Sequence, residues 1–102
     1  MRFGLEEDII GKINSVFAKY QHVEKVMLFG SRSKGTQKPS SDIDLTMLGD
    51  SLDNIDLDGI RKDLDALSLQ YETDVSLFKD IDNELLKERI LDRNVVFYEK
   101  KA

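Results

Sequence analysis

Apolar residues first recur three and four apart. Ile9, Ile10, Ile13, Val16, Phe17 and Tyr20 share one face of a 3.6-residue period, which predicts an amphipathic helix over about residues 5 to 20. Val26 to Phe29 is then a continuous apolar run stopped by Gly30, the mark of a short strand buried on both faces. Residues 30 to 41 are polar and hold Gly35 and the single proline, Pro39, so they read as a connection. The next segment, DIDLTML from 42 to 48, alternates. Asp42, Asp44 and Thr46 fall on one face of a strand, and Ile43, Leu45 and Met47 on the other. Leu57, Ile60, Leu64, Leu67 and Tyr71 predict a second helix. TDVSLF, residues 73 to 78, alternates again, with Asp74 and Ser76 on its polar face. Ile81, Leu85, Leu86 and Ile90 predict a third helix, capped by Asp80 or Asp82, and Val95 to Tyr98 a last strand before a fraying charged tail, EKKA.

The resulting order, αβ(turn)βαβαβ, predicts an α/β (α+β) fold: one small mixed β-sheet with helices packed mainly on one face. At 102 residues the chain is expected to form a single domain, 1–102. One-sided packing leaves the opposite sheet face free to be polar, and two different strands place aspartate there, near their N-terminal ends. Composition then removes alternatives. There is no cysteine, so disulfides and thiolate metal sites are excluded. No segment has the pattern of a signal peptide or a membrane span, and the expected location is cytoplasmic. The net charge of −5 argues against nucleic-acid binding over a broad surface, although Arg32, Lys34 and Lys38 gather in the polar connection.

Asp42 and Asp44, two residues apart on a strand, have Cα atoms about 6.6 Å apart and carboxylates on one face. Both can reach one hard divalent cation or share a pair, and Asp74 on a neighbouring strand can add a third carboxylate. Two such ions would clamp the attacking and leaving oxygens of an in-line phosphoryl displacement. The Gly30-Ser31 turn suits the phosphates of that reaction: glycine allows close backbone approach, and Arg32 or Lys34 can neutralise charge. A second acidic pattern, Asn54, Asp56, Asp58, Gly59 and Asp65, imitates a calcium loop. Its eighth position is Arg61, however, and Leu57, Ile60 and Leu64 already define a helix face, so helix entry is the better account. His22, the only histidine, reads as a surface residue in the turn before the first strand, and Lys100 and Lys101 as a solvated tail.

Gly30-Ser31, ten intervening residues, and Asp42-Ile43-Asp44 resemble the signature of the DNA polymerase beta-type nucleotidyltransferase superfamily. The fuller string LFGSRSKG…SDIDL and the short chain are most similar to its minimal nucleotidyltransferases. The resemblance covers about residues 24 to 98. It implies that Gly30 and Ser31, with Arg32 and Lys34, hold the nucleotide phosphates. It further implies that Asp42, Asp44 and Asp74 bind two Mg²⁺ ions, with Asp74 helping to activate the attacking hydroxyl. The implied activity is transfer of a nucleoside monophosphate, AMP from ATP, to a hydroxyl with release of pyrophosphate. Many minimal members pair with a HEPN-domain toxin and neutralise it, so a HEPN-type partner is expected and a homo-oligomer is left open. A non-catalytic antitoxin acting by contact, or an enzyme modifying a small molecule such as an antibiotic, are the alternatives.

Overall fold

The computed structural model describes residues 1–101. The chain runs α1 (Glu7–Ala18), β1 (Lys25–Phe29), α2 (Ser31–Lys34), β2 (Ile43–Leu48), α3 (Asn54–Ala66), β3 (Thr73–Leu77), a 3-10 turn (Phe78–Asp80), α4 (Glu84–Arg93) and β4 (Val96–Glu99). The strands form one mixed sheet in the order β3-β2-β1-β4. β1 is antiparallel to both neighbours, and β2 and β3 are parallel.

The two periodicities of the sequence account for the core. Val26 and Leu28 of β1 pair with Met47 and Leu45 of β2, which pair in turn with Leu77 and Val75 of β3. These residues make one apolar face. Ile10, Ile13, Val16 and Phe17 of α1 and Leu57, Ile60 and Leu64 of α3 join them in a single buried cluster. Tyr20, just beyond α1, donates a 2.7 Å hydrogen bond to Asp63 of α3 and ties the two helices at their solvent edge. That bond to a carboxylate pushes the Tyr20 phenol up to about 12.

The opposite face carries two rows in register, Met27–Thr46–Ser76 and Phe29–Asp44–Asp74. The connection from β3 to β4 runs back across the sheet, against the direction of the β2 to β3 connection. Right-handed crossovers therefore put α4 on the face opposite α3. The buried Met27 and Ile90 accordingly stand apart from the main core cluster. Thr46 is fully buried, and its hydroxyl accepts from Ser76 Oγ at 3.2 Å. The second row stays open, with Asp44 half-buried and Asp74 exposed.

Several boundaries differ from expectation for local reasons. The second helix ends at Ala66, and Tyr71 sits in the connection before β3. Asp80 belongs to the 3-10 turn, so α4 begins later, capped by Asn83, whose Oδ1 accepts from Leu86 N at 3.1 Å. Residues 54–65, the calcium-loop mimic, are helical and capped by Asp53, which accepts from Asp56 N. Lys100 is exposed, as expected of a solvated residue, but fastened: its N–H donates to Glu24 O and its Nζ to Gln21 O. Ala102, the end of the expected frayed tail, lies outside the described residues. Among the described residues, no helix is long and apolar enough to cross a membrane.

Candidate active site

The site is built where β1 ends and β2 and β3 begin. Because β1 is antiparallel to β2, its last residue, Phe29, lies opposite Asp44, and the next residue, Gly30, turns the chain directly over that carboxylate. Because β3 is parallel to β2, Asp74 lies beside Asp44 in register. Asp42 precedes β2 by one residue and is exposed. Strand pairing thus brings Asp44 and Asp74 together, and Asp42 is near enough for its charge to be felt. Burial, then the charges of Asp74 and Asp42, push the Asp44 carboxyl above its ordinary range.

Gly30 has φ 74° and ψ −158°, a conformation open to glycine and strained for other residues. A Cβ at this position would fall on Asp44 Oδ2. The turn and the carboxylate therefore share one space, which glycine leaves undisturbed and any other residue would contest. Ser31 starts the single turn of α2, which closes at Gly35 in the left-handed conformation. Lys34 is exposed beside it.

Arg32 departs from its expected phosphate role. It is 3 % exposed. Its Nη1 donates to Phe3 O at 2.9 Å, and its Nε and Nη2 donate to Ser41 O at 3.2 and 2.8 Å. Its guanidinium lies 5.0 Å from the centre of the Tyr71 ring. One side chain so fastens the N-terminal turn, the residue before Asp42 and the segment leading to Asp74. Arg32→Gln is expected to cost about 3 kcal/mol in urea unfolding, the scale of losing charged hydrogen bonds to buried carbonyls. Lys34→Gln is expected to stay within about 0.5 kcal/mol, as an exposed substitution.

The donor set fits a hard divalent cation: carboxylate oxygens with no nitrogen or sulfur ligand, and a raised Asp44 whose repulsion a cation would relieve. As the side chains stand, no three acidic or histidine groups among the described residues are gathered as a ready metal cage. Asp42 and Asp74 are the exposed members whose rotamers must converge. Sequence reasoning passed over Arg89 and Arg93, which line a groove beside Gly30 together with Lys34. Their four-residue spacing along the Leu86–Ile90 stripe is the signal the sequence offers.

The family described as "Polymerase beta, Nucleotidyltransferase" matches residues 11–102. No curated protein matches the sequence significantly. Among solved structures, a toxin–antitoxin crystallised with AMP-PNP is 26 % identical, with a TM-score of 0.69 over 90 % of this chain and 74 % of that one. A toxin–antitoxin MntA-HpeT mutant is 22 % identical, with a TM-score of 0.64 over 95 % of this chain and 75 % of that one. A protein from Sulfolobus solfataricus, provisionally assigned as a nucleotidyltransferase, is 21 % identical, with a TM-score of 0.51 over 92 % of this chain and 79 % of that one. The last two likenesses speak to the fold alone.

Proposed function

The chain belongs to the polymerase beta nucleotidyltransferase family, and on that premise we propose that it transfers AMP from ATP to a hydroxyl on a HEPN-type toxin partner, acting as its antitoxin. The observation that carries the reading is the placement of Asp44 beside Asp74 in register, under a Gly30 turn whose Cβ position the Asp44 carboxylate fills. The similarity to a toxin–antitoxin crystallised with AMP-PNP supports an adenine nucleotide and a toxin partner.

In this reading, Gly30 and Ser31 hold the phosphates by close backbone approach and a hydroxyl donor, and Lys34 neutralises their charge. Asp42, Asp44 and Asp74 would hold two Mg²⁺ ions, which when bound supply the charge stabilisation of an in-line displacement. Asp74, exposed like Asp42, would accept the proton of the incoming hydroxyl, the role the resemblance implies for it. Arg32 acts at one remove by fixing the segments that carry Asp42 and Asp74.

The test is to incubate the protein with labelled ATP, Mg²⁺ and the product of the neighbouring gene. Label is expected on the partner, and it is expected to disappear with Asp42→Asn. No transfer by the wild type, or equal transfer by the variant, would sink the catalytic reading. Full neutralisation of the partner by an Asp42/Asp44 double variant would instead favour an antitoxin acting by contact.

A further inference from the structure

Between α2 and α4, beside Gly30, lies a groove of about 490 Å³. Phe29, Leu86 and Ile90 line it with apolar surface, and Lys34, Arg89 and Arg93 line it with positive charge. The α4 residues follow three-four spacing, so a single helix face supplies both the apolar wall and two of the cations. Acidic residues outnumber basic ones 20 to 15 in this chain. Even so, Lys34, Arg89 and Arg93 enter none of the salt bridges among the described residues. Asp92 is the one carboxylate lining the groove. Three exposed cations gathered along one partly apolar groove, with a single carboxylate among them, are complementary to an anion supplied from outside.

We propose that this groove binds the polyphosphate end of the nucleotide, with Arg89 and Arg93 joining Lys34 on the β- and γ-phosphates and on the pyrophosphate that departs. The proposal rests on the nucleotide reading above and adds to it the groups that receive the leaving end. Lys34 is the link, since it borders the groove and lies three residues beyond Ser31. A phosphate chain held at the Gly30-Ser31 turn and directed away from Asp44 enters between α2 and α4. Arginine suits it, because the planar fork matches phosphate oxygens in pairs. An acidic protein segment would meet the same cations, but the contiguity of the groove with Gly30 favours the nucleotide's own phosphates.

Calorimetric titration of the full chain with ATP, AMP and inorganic tripolyphosphate, each with Mg²⁺, tests the assignment against an Arg89→Gln/Arg93→Gln double variant. Both side chains are exposed, so the fold is expected to survive. Each arginine is worth about tenfold in affinity as a charged hydrogen-bond donor. ATP and tripolyphosphate are therefore expected to weaken about a hundredfold while AMP changes less than about twofold. If the double variant fails to fold, the two single variants read about tenfold each. Unchanged ATP and tripolyphosphate affinity in the variants overturns the proposal and leaves the nucleotide reading standing. A wild type that binds no nucleotide overturns both. A variant that keeps its ATP affinity but no longer captures the partner assigns the groove to an acidic protein surface, which also overturns it.

Discussion

Asp44→Asn is expected to lower nucleotidyl transfer by about three orders of magnitude, the several kcal/mol that metal charge stabilisation supplies. In the same protein, the melting temperature measured without divalent ions is expected to stay level or rise. The two effects share one cause. Asp44 is half-buried and sits in register with Asp74, with Asp42 nearby. Burial and those like charges raise its folded pKa above the unfolded value. A raised carboxyl contributes stability below the unfolded pKa and loses it as pH rises through the folded pKa, so at neutral pH the ionised group is a net cost to the fold. Asparagine keeps the shape, replaces one acceptor oxygen with an amide donor and removes the charge. Thermal melts in EDTA and in Mg²⁺ read this directly. Added Mg²⁺ is expected to raise the melting temperature of the wild type by binding the folded state, and to do little for the variant. A variant that transfers at the wild-type rate, or that loses stability in EDTA, would show that the Asp44 carboxylate serves the fold rather than the chemistry.

Much of this arrangement is legible in the sequence because it rests on short-period patterns. Alternation in DIDLTML and TDVSLF assigns Asp44, Thr46, Asp74 and Ser76 to polar strand faces, and register then has few ways to pair them. What the patterns do not reach is anything decided by tertiary partners. Tyr71 extends the leucine stripe of the second helix at the right spacing, yet Arg32 lies over its ring in a connecting segment. Asp80, Asp82 and Asn83 are all acceptable caps; a 3-10 turn takes Asp80, and it is Asn83 rather than Asp82 whose side chain accepts from the first turn of the helix, at Leu86 N. Arg32 itself has the composition of a phosphate ligand beside a glycine-serine turn. Its burial follows from two carbonyls, Phe3 O and Ser41 O, that no local pattern could bring to it. Lys100 reads as tail for the same reason, since its acceptors, Gln21 and Glu24, are almost eighty residues earlier in the chain. Arg89 and Arg93 read as helix-surface charges until the fold sets α4 beside Gly30.

Gly30→Ala is expected to cost both stability and activity, and the two losses can be separated. The backbone at Gly30, φ 74° and ψ −158°, lies where a residue with a Cβ is strained by about 1–3 kcal/mol. The Cβ would also land on Asp44 Oδ2, which is the end of a side chain rather than backbone, so the carboxylate can give way. Strain should therefore appear in the urea unfolding energy, and displacement of Asp44 should appear in transfer. A total destabilisation of about 3 kcal/mol, with a fall in transfer of about a hundredfold or more, is expected. A double-mutant cycle divides the terms. In an Asp44→Ala background the steric term vanishes while the backbone strain stays, so Gly30→Ala should cost less there, by about 1 kcal/mol. Equal costs in the two backgrounds would mean that the glycine is required by its backbone alone, and that the turn and the carboxylate do not compete for one space. A smaller cost beside Asp44→Ala, together with transfer that Gly30→Ala suppresses at saturating ATP, would show the glycine acting through the position of Asp44. The requirement for glycine would then be set by the carboxylate, with the tight turn as the means of bringing the backbone that close to it.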